Sequence, residues 1–165
     1  MWADNHSWAG NIKSVPEELV PPTVIVQNPP VKEYVVGFMF SPSKQTVVLI
    51  EKQRPEWQKG KLNGVGGKIE IGETPRDVMQ REFQEETGIA YWGWHHFATL
   101  RGAGTVVYVF RAFSELAFWA ETKTDEKVFA FFPDPLPTSV LPNLRFLIPL
   151  ALTPGYAHTE FRFEE

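Results

Sequence analysis

The chain contains no cysteine, which excludes disulfides, thiolate metal sites and thiol nucleophiles at once. Basic residues are also in the minority: 16 Lys and Arg face 20 Asp and Glu, for a net charge of -4 and a pI near 5.6. General affinity for duplex DNA or anionic membrane rests on clustered cations, so neither partner is expected. An anionic ligand would need a local device to offset its charge, such as a metal ion. No apolar run approaches the ~18 to 20 residues of a membrane span. The N-terminal stretch MWADNHSWAGNIKSVPEELVPP lacks the basic-then-apolar order of a signal peptide. The expectation is a soluble, cytoplasmic protein.

What is present reads as one ordinary globular domain. At 165 residues and 43% hydrophobic, the chain can bury a real core without staples. Pro16, Pro21, Pro22, Pro29 and Pro30 crowd the start, so residues 1–30 read as an irregular arm and residues 31–165 as the domain. YVVGFMF (34–40) and TVVLIEK (46–52), joined by the turn-forming SPSKQ, predict a β-hairpin. RPEWQKGKLNGVGG then reads as a loop. FATLR (97–101), TVVYVFRAF (105–113) and VFAFF (128–132) predict further strands, with GAG as a tight turn between the first two.

Two helices are expected. Over 75–87, Thr74 suits the N-cap, Pro75 the first helical position, Asp77 a capping-box spacing and Gly88 a left-handed stop. Over 142–152, Leu144, Leu147, Ile148 and Ala151 fall on one helical face. Pro149 inside that stretch removes a hydrogen bond at a cost of roughly 3 kcal/mol, which predicts a kink or a short helix. Strands flanked by two helices in this order predict an α/β architecture with a mixed sheet packed between helices.

The first helix carries an arrangement that local physics opposes. Glu82, Glu85 and Glu86 lie within an arc of roughly 100° on one face. Like charges at these spacings cost about 0.2–0.5 kcal/mol per pair, and the C-terminal half of a helix disfavours anions. A hard divalent cation would reverse the sign, since Mg2+ takes oxygen ligands from a few carboxylates, waters and phosphates. The plain alternative is a solvated acidic face. Context favours the cation: GVGGK precedes the helix, Glu73 stands at its entrance, and Arg81 offers a planar fork within the cluster.

The stretch GKIEIGETPRDVMQREFQEETGI (67–89) resembles the signature of the Nudix hydrolases. Gly67, Glu73, Arg81, Glu82, Phe83, Glu85, Glu86, Gly88 and Ile89 fill its specified positions, with Phe83 where an aliphatic residue is more usual. The resemblance implies the Nudix α/β/α sandwich and hydrolysis of a nucleoside diphosphate linked to another group. It implies that Glu82, Glu85 and Glu86 hold Mg2+, or Mn2+ in its place, with the Gly66 carbonyl as a further ligand. Arg81 would orient the cluster, and Glu73 would support the loop and helix. Glu126 is the candidate acid from outside the signature, for metal and catalysis, with Glu121 and Asp125 behind it. A solvated loop acid is the alternative for Glu126.

Within that family KLNGVGGK resembles the MutT-type enzymes that hydrolyse oxidised purine nucleoside triphosphates, which makes Asn63 a candidate base contact and places Lys68 among substrate-binding residues. An amide donates and accepts simultaneously, as a purine edge requires; Asn63 would otherwise simply favour the turn before Gly64. Asn143, in LPNLRFLIPLAL, occupies a segment that resembles a base-recognising helix of the animal enzymes, although the Trp and two acids of that helix are missing. Trp57 could stack on a base. Lys52, Arg54, Lys59 and Lys61 make its loop locally basic. The expected reaction converts a nucleoside triphosphate to the monophosphate and pyrophosphate, with metal-activated water attacking phosphorus and nucleotide-pool cleaning as the role. The alternatives are a hydrolase of dinucleoside polyphosphates or capped RNA, and a catalytically silent nucleotide-sensing module.

Overall fold

A computed structural model describes residues 29–164 of the chain. The proline-rich arm expected over 1–30 therefore lies almost wholly outside the described residues. Eight strands form one mixed sheet: β1 (Lys32–Phe40), β2 (Val47–Glu51), β3 (Leu62–Asn63), β4 (Val65–Lys68), β5 (His95–Gly102), β6 (Thr105–Phe113), β7 (Lys127–Phe131) and β8 (Thr159–Arg162). Two helices, α1 (Pro75–Thr87) and α2 (Leu144–Leu152), cover it.

β1 organises the sheet. It runs parallel to β6, with Lys32 opposite Thr105 and Phe40 opposite Phe113. It is antiparallel to β4, with Val36 opposite Gly66, and it meets β2 at Phe40 and Val47, completing the expected hairpin. Alternation along β1 sends Val36, Phe38 and Phe40 into one core and Val35 and Met39 into the other. β2 divides likewise, Val47 and Leu49 from Val48 and Ile50. Both faces of these strands are therefore buried, and each needs its own helix.

α2 covers the first face with Leu144, Leu147, Ile148 and Ala151, all buried. It is short, and Pro149 is exposed within it, so the missing hydrogen bond falls on the solvent side. α1 covers the second face with Val78, Met79 and Phe83 against Val35, Met39, Val48 and Ile50. Phe83 meets Trp94 edge to face at 4.9 Å. Burying each such side chain contributes about 1.5–3 kcal/mol, so α1 is fixed to the sheet by its apolar side.

The glycine-rich stretch corrects one expectation. RPEWQKGKLNGVGG reads as a loop, but its second half forms β3 and β4. A Cβ on Gly66 would lie 2.0 Å from the Val35 carbonyl oxygen, so glycine permits the close approach of β4 to β1. β8 is an additional edge strand, parallel to β5 with Ala98 opposite Thr159. A bulge between His96 and Ala98 turns both Phe97 and Ala98 into the core beneath α2.

Candidate active site

α1 begins and ends where its local residues dictate. Thr74 Oγ1 accepts from the Asp77 N–H, Pro75 fills the first turn, and Gly88 closes the helix at φ 79°. Phe83 is fully buried, while Glu82 and Glu86 beside it are partly buried and Glu85 is exposed.

Arg81 organises those carboxylates. Its Nε donates to Glu73 Oε1 at 3.1 Å and one terminal nitrogen to Glu73 Oε2 at 3.2 Å. The other terminal nitrogen donates to Glu82 Oε1 at 2.8 Å and stands 3.5 Å from Glu85 Oε2. Glu73 also accepts from the Glu70 N–H at 3.0 Å. That backbone bond, followed by Arg81, holds the Glu73 carboxyl below its ordinary range. Arg81 is raised: burial opposes the charge, but Glu73 and Glu82 outweigh it.

Glu82 and Glu86 shift the other way. Burial pushes Glu82 up against the pull of Arg81, and Glu85 adds to the rise. Burial also raises Glu86, opposed by a hydroxyl bond and reinforced by Glu126. The Glu82 side chain is only 14% exposed. Its space exists because Gly67 has no side chain: a Cβ there would sit 2.3 Å from both Cδ and Oε1 of Glu82.

The C-terminal end of α1 receives the loop before β7. The Glu121 and Lys123 N–H groups donate to the carbonyls of Thr87 and Glu86, at 3.1 and 3.2 Å, satisfying two of the acceptors that a helix end leaves open. This docking brings Thr124 Oγ1 to donate to Glu86 Oε2, while the same oxygen accepts from the Glu126 N–H at 3.1 Å. Glu126 is 4% exposed. Its carboxylate accepts from Lys52 Nζ at 2.8 Å and from the Gln53 N–H at 3.2 Å. The reading of Glu126 as a solvated loop acid does not hold: it is buried and paired. Glu121 and Asp125 remain on the surface, paired with Lys123 and Arg54 respectively.

The remaining candidates are more dispersed. Gly66 lies in β4 beside Gly67, and Lys68 ends that strand in an exposed ion pair with Glu70 at 3.5 Å. Asn63 is half-buried at the end of β3, and its Oδ1 accepts from the Gly64 N–H at 2.8 Å; among the described residues its amide donors have no partner. Trp57 is 65% exposed in a short 3-10 turn, Glu56–Gln58. Asn143 precedes α2 without capping it through its side chain. Tyr108, an ordinary strand residue in sequence, donates to Glu33 Oε1 at 2.8 Å. Lys52 and Thr124 are carboxylate partners that the sequence does not single out. Lys52 was legible only as part of a basic loop, and Thr124 carried no signal beyond its place beside Asp125 and Glu126.

The donors fit a hard divalent cation in kind. Glu82, Glu85, Glu86 and Glu126 offer only carboxylate oxygen, and burial already disfavours two of these anions. Among the described residues no group of three or more acidic or imidazole side chains is arranged to hold a metal ion by itself. Mg2+ does not require one, since it retains waters and shares its shell with substrate phosphates.

A model of the NUDIX domain matches residues 31–140. The fold is similar to that of a NUDIX hydrolase from Nitrosomonas europaea, at a TM-score of 0.65 and 16% identity, covering 84% of this chain and 81% of that one. It is also similar to a MutT NUDIX hydrolase from Burkholderia pseudomallei, at a TM-score of 0.63 and 20% identity, covering 76% and 100%. A mutator MutT protein from Bacillus halodurans aligns at a TM-score of 0.60 and 17% identity, covering 81% and 91%.

Proposed function

Because the chain belongs to the NUDIX family, whose hydrolases generally use divalent metal ions, we propose that it is a Mg2+-dependent, MutT-type pyrophosphohydrolase. It cleaves a nucleoside triphosphate between the α and β phosphorus atoms, adding water and releasing the nucleoside monophosphate and pyrophosphate. The observation that carries this reading is the row of Glu82, Glu85 and Glu86 on α1 beside Arg81, with Thr124 linking Glu86 to the buried Glu126 of the loop before β7.

Glu82, Glu85 and Glu86, with Glu126 beside them and the Gly66 carbonyl as a further donor, would hold Mg2+ or Mn2+. When bound, the ion neutralises phosphate oxygens and lowers the pKa of water. Arg81 fixes the orientation of Glu73, Glu82 and Glu85, and Lys52 fixes that of Glu126. Their preset geometry spares the reorganisation otherwise needed at the transition state. Lys68 and the exposed cations of the 54–61 loop face incoming phosphate; Asn63, Trp57 and Asn143 are the proposed base contacts. The role is cleaning of the nucleotide pool in the cytoplasm.

The test is incubation with Mg2+ and a panel of canonical and oxidised nucleoside triphosphates, dinucleoside polyphosphates, ADP-ribose and capped RNA, followed by chromatography of the products. Monophosphate and pyrophosphate from a triphosphate are expected. Binding of nucleotides without turnover would favour a sensing module, and cleavage of only the longer substrates would move the specificity away from MutT type.

A further inference from the structure

We propose that Thr124 is a positioning residue that couples Glu86 on α1 to Glu126 before β7, so that Glu86 turns its Oε1 toward a cation held beside the Glu126 carboxylate. This rests on the metal-site reading above. A threonine hydroxyl has one proton to donate and two lone pairs with which to accept. Here the proton goes to Glu86 Oε2 and one lone pair receives the Glu126 N–H. One side chain thus links the carboxylate of Glu86 to the backbone of Glu126, and it fixes which oxygen of Glu86 remains open.

The other supports of Glu126 come from elsewhere in the fold: Lys52 and the Gln53 backbone, just beyond β2, hold its carboxylate. Thr124 is the hydroxyl that ties this assembly to α1. The loop itself is docked independently, through the backbone bonds of Glu121 and Lys123 to the end of α1. Loss of the hydroxyl therefore leaves the loop in place and frees only the carboxylate geometry. Groups that orient metal ligands in this way typically govern metal affinity by about 10- to 100-fold.

The experiment compares wild type with Thr124→Val, which keeps the branched shape, Thr124→Ala, which removes the hydroxyl without the branch, and Thr124→Ser, which restores it. Mn2+ affinity is measured by calorimetry, thermal midpoint in chelator by circular dichroism, and kcat and KM on a triphosphate that the wild type cleaves. The expected result is Mn2+ binding weaker by about 10-fold or more in Val and Ala, a lower kcat at unchanged KM, and recovery in Ser. A lowered thermal midpoint with unchanged Mn2+ affinity would overturn the proposal, because it would make Thr124 purely structural. So would wild-type binding in Val, or in Ala should Val fail to fold. Failure of the wild type itself to bind Mn2+ would overturn the underlying metal site, a result distinct from either of these.

Discussion

Replacing Gly67 with alanine puts a single methyl group against the carboxylate of Glu82. The added Cβ falls 2.3 Å from Cδ and Oε1 and 2.7 Å from Oε2, whereas real Cβ atoms essentially never come closer than 3.0 Å to a neighbour. The carboxylate must retreat, because Gly67 sits in a strand whose backbone is paired with β1 through Val35. Retreat pulls it from the 2.8 Å bond with Arg81. That ion pair is partly screened, and its loss costs at most about 1 kcal/mol of stability. A displacement near 1 Å in a reacting constellation costs on the order of 100-fold in rate, or about 2.7 kcal/mol of transition-state stabilisation. Gly67→Ala is therefore expected to fold, to lose about 1 kcal/mol or less in urea denaturation, and to fall roughly 100-fold in kcat/KM. Turnover within twofold of wild type would refute the role of Gly67 as the space for Glu82. A stability loss above about 3 kcal/mol, the scale of severe overpacking, would instead assign Gly67 to the fold.

Glu85→Gln and Glu86→Gln keep shape but remove charge; turnover should fall by at least about 100-fold with circular dichroism unchanged, and near-normal activity would remove that residue from the metal set. Asn63→Ala should change the ratio of kcat/KM among bases more than the Mg2+ dependence, and an equal loss on every nucleotide would refute base reading. Phe83→Ala empties a fully buried site against Trp94 and should cost about 3–5 kcal/mol in urea denaturation. His96 is held below its ordinary pKa of 6.5 first by burial and then by His158, its ring 4.7 Å from the latter. The unfolded chain takes up this proton at higher pH than the folded one, so the stability contributed is complete above pH 6.5 and is lost as pH falls below it. Thermal midpoints should decline on acidification below 6.5 less steeply in His96→Gln, and identical slopes would exclude His96 as a source.

The parts legible in sequence were those whose causes are local. α1 follows from Thr74, Pro75 and Gly88, each acting within a turn, and β6 matches its β-branched and aromatic run. β4 reads as a loop in sequence because Gly66 and Gly67 are poor strand formers; its state is imposed by β1, far away in sequence. β8 likewise owes its definition to pairing with β5. At the site, the glutamates of α1 announced themselves through spacing, and Glu126 through its setting before a strand. Its burial could not be read, because it depends on Lys52 and on the loop docked at Thr87. The proposed base contacts Asn63 and Trp57 were legible only as residue types, because what they would touch is a ligand and not another part of the chain.

The parallel pairing of β1 with β6 sets the order in which this chain can fold. The pairing of 32–40 with 105–113 closes a long segment before its contacts form, which slows folding of such mixed topologies. α1 lies wholly inside that segment and has the local signals to form first. Alone, however, it carries the mutual repulsion of Glu82, Glu85 and Glu86 without the apolar surface that anchors Val78, Met79 and Phe83. Its early helix should therefore flicker, becoming persistent only as the sheet closes beneath it. During synthesis, Glu86 would gain its bond to Thr124 only after residues 124–126 have emerged, so the proposed site is completed late.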